Sequence, residues 1–232
     1  MILLVILYAL LMQFIDAKQK EHEARLCSFL ENAGPRIETF QSIDKVDAKI
    51  ILEEAFWRTE QSGWESRRHA NYPTTDIEVV HWSTKSNRVV HKIVSQARRR
   101  LAGMFHVDPA EIVLKEAFVA KYTPDGQKRL ALHQDGSEFS FIVALNDKFS
   151  GGGTFFALSR RTVRLGVGEC VVFSGKTYHA GLEVTSGERY ILAGFLNYKY
   201  ADFCDGDDNV DDDSTSVERL VARAARHAKA HY

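Results

Sequence analysis

The chain has 232 residues and is 45% hydrophobic, enough to bury one substantial core, so one main domain is expected. Thirty basic residues stand against thirty-one acidic ones, and a net charge of −1 removes any general electrostatic case for a nucleic acid or an anionic surface as partner. Cys27, Cys170 and Cys204 make an odd count that suits no disulfide framework, and Cys170 in the apolar run ECVVF has the setting of a buried free thiol.

Residues 1–17, MILLVILYALLMQFIDA, are nearly all apolar. The run is short for a bilayer span, which needs about 20 apolar residues. It suits the apolar region of a secretory signal peptide or a membrane anchor, although no Lys or Arg precedes it, and a buried N-terminal helix is the alternative. Residues 18–110 read as a helical support region. From about Arg36 to Glu60, apolar side chains recur at three- and four-residue steps through Ile43, Val46, Ile50, Ile51, Ala55 and Phe56. The loop SGWESRRHANYPTTD follows, and then a second helix from about Asn87 to Phe105, with Ser86 as its cap. Its Arg98, Arg99 and Arg100 read as a solvated face near the helix C-terminus, where cations are favoured.

The texture changes at residue 111. Up to residue 200 the sequence runs through IVLKEAFVAKY, LALHQD, EFSFIVALN, GTFFAL, TVRL, ECVVF and RYILAGFLNY, separated by Asp-Gly, Gly-Gly-Gly and Gly-Val-Gly turns. Short strands at such spacing predict an antiparallel sandwich or barrel, and helices that precede them should pack on one face of it. The fold class is therefore α+β. Residues 201–232 form an acidic linker, with seven Asp between Asp202 and Asp213, and a short C-terminal helix whose capping box is Thr215 and Glu218.

Within LALHQD, His133 and Asp135 are two apart, so an extended backbone projects both to one side. Nine histidines, each with about 31 in 232 odds of an acid two residues on, yield roughly one such pair by accident. The chain holds two. In the other, His106-Val-Asp108, the acid is followed by Pro109 and Glu111, the pattern of a helix start, which gives Asp108 a structural task. A third ligand for the His133 pair must come from a neighbouring strand, and His179 in GKTYHAG is the remaining histidine of the strand-rich half. Two histidines and one carboxylate leave coordination positions open, which is the non-haem Fe(II) arrangement rather than a four-ligand zinc site. Such an ion can take 2-oxoglutarate at its keto-acid end, and the far carboxylate then requires a cation. Arg189, ten residues after His179 in SGERYILAGF, suits that task by a bidentate pair, with a surface pairing to Glu183 or Glu188 as the alternative.

From about Tyr72 to Tyr198 the chain resembles the catalytic domain of the collagen prolyl 4-hydroxylase and lysyl hydroxylase superfamily. The likeness is carried by YPTTDIEV, FVAKY ahead of HQDGS, SFIVALN, FSGGGTFF, GECVVFSGKTYHAG and GERYILAGF, and in order and spacing it is nearest the lysyl hydroxylase pattern. The resemblance implies a double-stranded β-helix, or jelly-roll, with His133, Asp135 and His179 as iron ligands and Arg189 on the distal carboxylate of 2-oxoglutarate. It also implies Tyr122 as a second contact to that co-substrate. The chemistry implied is oxygenation of a C–H bond by O2, with succinate and CO2 as co-products and L-ascorbate restoring oxidised iron. The substrate expected is a peptidyl proline or lysine in a protein or peptide; the segment Ser62–Thr75, bearing Trp64, Arg67, Arg68 and Tyr72, is a candidate to face it, with a plain surface connection as the equal alternative. The chain would act in the endoplasmic reticulum lumen or anchored to its membrane. A small metabolite or nucleobase as substrate, or a non-catalytic binding module, are the competing readings. Two departures bear on substrate. Gly136 stands where lysyl hydroxylases usually have Ala, and Arg189 where collagen prolyl enzymes typically use Lys.

Overall fold

The computed structural model describes residues 36–69 and 72–199. The apolar segment 1–17, the acidic stretch and the helix expected within 201–232, and Cys27 and Cys204 lie outside them. Among the described residues, no helix is long and apolar enough to cross a membrane.

The scaffold is a six-stranded antiparallel sheet in the order β1-β9-β5-β12-β3-β2, built from Ile37–Gln41 (β1), Asp76–Glu78 (β2), Ile112–Tyr122 (β3), Phe139–Ala144 (β5), Glu169–Ser174 (β9) and Arg189–Tyr198 (β12). A smaller sheet runs β4-β10-β7-β8, from Leu130–His133 (β4), Thr154–Phe156 (β7), Arg161–Val163 (β8) and His179–Gly181 (β10). Phe149–Gly151 (β6) and Val184–Gly187 (β11) pair with each other. Two helices, Lys45–Ser62 (α1) and Thr84–Phe105 (α2), complete the fold.

Strand alternation sorts the side chains of the large sheet onto two faces. Ala117, Val119, Phe139, Phe141, Val143, Cys170, Val172, Tyr190 and Leu192 point one way and pack with Ile51, Ala55, Val90, Ile93, Ala97 and Leu101 of the two helices. Phe118, Ala120, Tyr122, Ile142, Val171, Phe173, Ile191 and Ala193 point the other way and meet Phe156 and Val163 of the small sheet. Helices, large sheet and small sheet thus form successive layers. This is the double-stranded β-helix with N-terminal helices on one face.

Two local readings change. The helix expected from Arg36 begins only at Lys45, where the Asp44 side chain accepts from the Asp47 N–H. Ile37–Gln41 instead add β1 to the edge of β9, Ile37 opposite Phe173 and Gln41 opposite Glu169. Three- and four-residue spacing alone does not exclude a strand in so short a stretch, and here the open edge of a central sheet supplies its backbone partners. The second helix starts three residues before Asn87, at Thr84, because Ser83 rather than Ser86 caps it; the Ser83 Oγ accepts from Ser86 N, and the Ser86 hydroxyl turns to Glu54. The strands β6, β10 and β11, all short, have too few residues to show alternation.

Gly168 holds the turn before β9 against the α1 entry. It has φ +80°, its carbonyl accepts from both Ser42 N and Ile43 N, and an added Cβ would lie 2.0 Å from the Ile43 carbonyl oxygen. Gly168→Ala is therefore expected to cost at least about 1–3 kcal/mol. Gly103, inside α2 with nothing within 4 Å of an added Cβ, offers the opposite case. Gly103→Ala should raise stability by roughly 0.5–1 kcal/mol. Urea unfolding midpoints at unchanged slope measure both.

Candidate active site

β4 and β10 run antiparallel with His133 directly opposite His179, which sets the two imidazoles beside each other at 4.3 Å between ring centroids. β4 ends at His133, so strand geometry alone does not place Asp135. Its backbone N–H donates to the Gly175 carbonyl at 2.8 Å, and its side chain returns to the histidines. The Asp135 Oδ1 lies 3.3 Å from His133 Nε2 and Oδ2 lies 3.7 Å from His179 Nε2. One ligand atom from each of the three residues falls within 4.8 Å of the others, and all three side chains are buried.

The histidine tautomers follow from their backs. His133 Nδ1 lies 2.8 Å from the Ala131 carbonyl oxygen and His179 Nδ1 lies 2.9 Å from that of Thr177. A carbonyl only accepts, so both Nδ1 atoms carry protons and both Nε2 atoms face the common point. Burial alone would raise the Asp135 carboxyl, but the His133 hydrogen bond, His179 and the Ser140 hydroxyl outweigh it and hold it below the usual range. Burial lowers His179 against the pull of Asp135. Burial also opposes charge on His133, yet its hydrogen bond with Asp135 and the Ala131 carbonyl raise it. An ionised carboxylate and two Nε2 atoms converging in a buried space are a donor set that fits a divalent transition metal.

Arg189 opens β12 opposite Tyr122 of β3, its guanidinium 5.5 Å from the Tyr122 ring centroid. It is 5% exposed, and no carboxylate pairs with it among the described residues. The surface alternative is closed: Glu188 pairs with Lys121 at 2.7 Å and Glu183 with Lys128 at 3.1 Å. Burial lowers the Arg189 pKa, with Tyr122 opposing. Its aliphatic stem is admitted by Gly152, where an added Cβ would stand 3.0 Å from Arg189 Cδ and equally close to the Phe149 ring. A buried charge without a partner is costly, so this one is built for an anion.

A single cavity of about 460 Å³ is lined by the triad, by Arg189 and by Tyr122. Its wall also includes Tyr72, whose ring lies 4.8 Å from that of His133 and which is 39% exposed. The exposed Gln134 and Lys176 line it as well, so the cavity opens to solvent on the side of Tyr72.

Of the segment Ser62–Thr75, only part faces the cavity. Tyr72 and Thr74 do, and so does His69, which carries no sequence signal. Trp64 packs on Tyr190 on the helical side of the sheet, and Arg67 is exposed. Arg68 is turned inward, with Asp76 at 2.7 Å, Glu78 at 3.0 Å and Glu116 at 2.6 Å. It anchors the segment rather than presenting itself to a ligand. His106 caps α2 in the left-handed conformation and the Asp108 side chain accepts from Ala110 N, so that second His-x-Asp pair is structural. Ser140, which also lines the cavity and donates to Asp135 Oδ2, was not singled out by the sequence. A lone polar residue in the buried strand FSFIVA was the available signal.

No family model matches the chain. It is 32% identical over 136 residues to the procollagen lysyl hydroxylase and glycosyltransferase of Acanthamoeba polyphaga mimivirus, covering 55% of this chain and 15% of that protein. It is 29% identical over 186 residues to the multifunctional procollagen lysine hydroxylase and glycosyltransferase of Caenorhabditis elegans, covering 72% and 25%. The matched region is thus a quarter or less of the length of these relatives. Among solved structures, a Pseudomonas putida prolyl-4-hydroxylase superposes with a TM-score of 0.57 at 17% identity, covering 75% of this chain and 98% of that one. The viral collagen prolyl hydroxylase of Paramecium bursaria Chlorella virus-1, in a 2-oxoglutarate complex, superposes with a TM-score of 0.54 at 20% identity, covering 69% and 94%. At those identities the structures establish the fold, and the sequence relatives carry the kinship. The chain is thus similar in sequence to procollagen lysyl hydroxylases over a little more than half of its length, and its fold is that of the iron- and 2-oxoglutarate-dependent oxygenases.

Proposed function

We propose that the chain hydroxylates a C–H bond of a peptidyl proline or lysine, consuming O2 and 2-oxoglutarate and releasing succinate and CO2. The observation that carries this reading is a buried arginine, Arg189, that has no counter-ion among the described residues and lies in the same cavity as a His-Asp-His donor set. An ion site alone would suit many chemistries. A second, separate demand for an anion suits a dicarboxylate that chelates at one end and is gripped at the other.

His133, Asp135 and His179 would hold Fe(II), which supplies the O2 activation coupled to 2-oxoglutarate decarboxylation that no side chain provides. Each other task falls to the chain. Arg189 orients the co-substrate by a charge-assisted pair, and Tyr122, buried beside it, donates a hydrogen bond from its phenolic O–H. Burial pushes the Tyr122 phenol up against the influence of Arg189, so the donor keeps its proton at neutral pH. Phe156 and Phe173 pack on His179 and keep water from that side of the donor set. The open side next to Tyr72 admits a side chain carried on a larger substrate, which favours a peptide over a small metabolite. L-Ascorbate would restore iron oxidised in turnovers without substrate. Residues 1–17 would direct the chain into the endoplasmic reticulum lumen or anchor it there.

With Fe(II) added anaerobically, the wild-type protein is expected to bind one equivalent, and His133→Ala, Asp135→Ala or His179→Ala to abolish binding, whereas His106→Ala with Asp108→Ala leaves it intact. In the same iron-loaded protein, Arg189→Ala should preserve iron but weaken 2-oxoglutarate, read from the metal-to-ligand charge-transfer band. Removing one partner of a buried charge pair costs about 2–5 kcal/mol, which is roughly 30-fold or more in affinity. Arg189→Lys should recover part of it, because a point charge replaces a fork. Equal affinity in all three proteins would remove Arg189 from the co-substrate site.

Mass spectrometry of proline- and lysine-containing peptides after incubation with Fe(II), 2-oxoglutarate and ascorbate is expected to show the gain of one oxygen atom, matched by succinate. Succinate without altered peptide would move the substrate to another class. No succinate with any peptide or metabolite would favour a binding module. A reporter fused to residues 1–25 should be protected from protease by microsomes, and full digestion would refute secretory targeting.

A further inference from the structure

We propose that Ser140, backed by Ser137, is a positioning residue that holds the Asp135 carboxylate in its ligand orientation; this rests on the triad being a metal site. Every residue of β5, FSFIVA, is buried, and Ser140 is its one polar member. Phe139, Phe141 and Val143 face the helices, which leaves Ser140 on the cavity side with Ile142. A hydroxyl 1% exposed needs a partner, and Ser140 Oγ donates to Asp135 Oδ2. Ser137 Oγ lies 3.2 Å from Ser140 Oγ. The carboxylate can only accept, so the Ser140 proton is committed to it and Ser137 is the donor of the second bond. Two buried hydroxyls therefore point in series at a single carboxylate oxygen, each polarising the next.

The base of this chain is fixed by Gly175. An added Cβ there would stand 2.2 Å from the Ser137 carbonyl oxygen and 2.9 Å from its Oγ, and the Gly175 carbonyl accepts from Asp135 N at 2.8 Å. One residue thus sets both ends of the relay. Asp135, lying beyond the end of β4, has no strand to orient it, and the Ser140 bond stops its carboxylate from turning about Cβ–Cγ.

The test uses Co(II) as probe on the full chain, with affinity measured against a competing chelator and coordination read from the visible absorption of the ion. Variants are Ser140→Ala, Ser140→Val and Ser140→Thr. Val and Thr have the same shape and differ by the hydroxyl, so any cost of an added methyl cancels in their comparison. Loss of an outer partner of a metal ligand typically costs 10–100-fold in affinity. We expect that loss for Ala and Val, with a changed absorption spectrum, and restoration of both by Thr. Ser137→Ala, which leaves β5 untouched, should weaken binding in the same direction by less. Val and Thr binding alike, or Ala matching the wild type in affinity and spectrum, would overturn the role of Ser140. Wild type binding no more tightly than His179→Ala would overturn the metal reading and this inference together.

Discussion

The site depends on one register. His133 and His179 meet because β4 and β10 pair with those two residues opposite each other. Side chains on a strand alternate faces, so a slip of one residue would send one imidazole out of the cavity and bring Leu132 or Tyr178, both now exposed, into it. The neighbouring strand β7 fixes the same register from the other side, pairing Phe156 with His179 and Thr154 with Gly181. Phe156 is fully buried against Phe173 of the large sheet, which ties the register of the small sheet to the hydrophobic core. The metal donors are thus held by apolar packing behind them rather than by one another.

The cavity is divided electrostatically into two unlike halves. Around the triad, an ionised Asp135 and two imidazoles that are neutral when bound to metal offer a place for a cation. At Arg189 a full positive charge is buried with an aromatic face beside it and no anion among the described residues. Each half lacks what the other kind of ligand end provides. The acidic residues that precede Arg189 in sequence, Glu183 and Glu188, are taken by Lys128 and Lys121.

The segment before β2 is held by a third charge cluster with a different purpose. Arg68 meets Asp76, Glu78 and Glu116 and lies 5.4 Å from the Phe118 ring, while burial that would lower its pKa is outweighed by Asp76 and the other carboxylates. Asp76 is fully buried and also accepts from the Thr74 hydroxyl. The backbone joins in through the Glu65–Asp76 bridge, and Gln127 binds Thr75 N and the Pro73 carbonyl. Arg68 and its partners are satisfied without any ligand, in contrast to Arg189, and the side chains they hold at the cavity wall are His69 and Thr74.

How much of this was legible follows from the range of the interactions. Four strands of the large sheet, β3, β5, β9 and β12, were readable because apolar runs bounded by turn residues are written locally, and the helix faces because apolar residues recur at helical steps. The spacing of His133 and Asp135, a distal His179 and an arginine in an apolar strand sufficed to pick out the side chains that converge on one cavity. Other features lay beyond reach because their causes are distant in sequence. β1 exists because β9 has an open edge, Arg68 turns inward because Asp76 and Glu116 await it, and Asp135 is oriented by Gly175 and Ser140 rather than by its own strand. Residue types and periods determined which chemistry the chain carries and roughly where; the tertiary structure alone decided which charges are paired and which stay vacant, because pairing is settled by three-dimensional proximity between segments that no local pattern records.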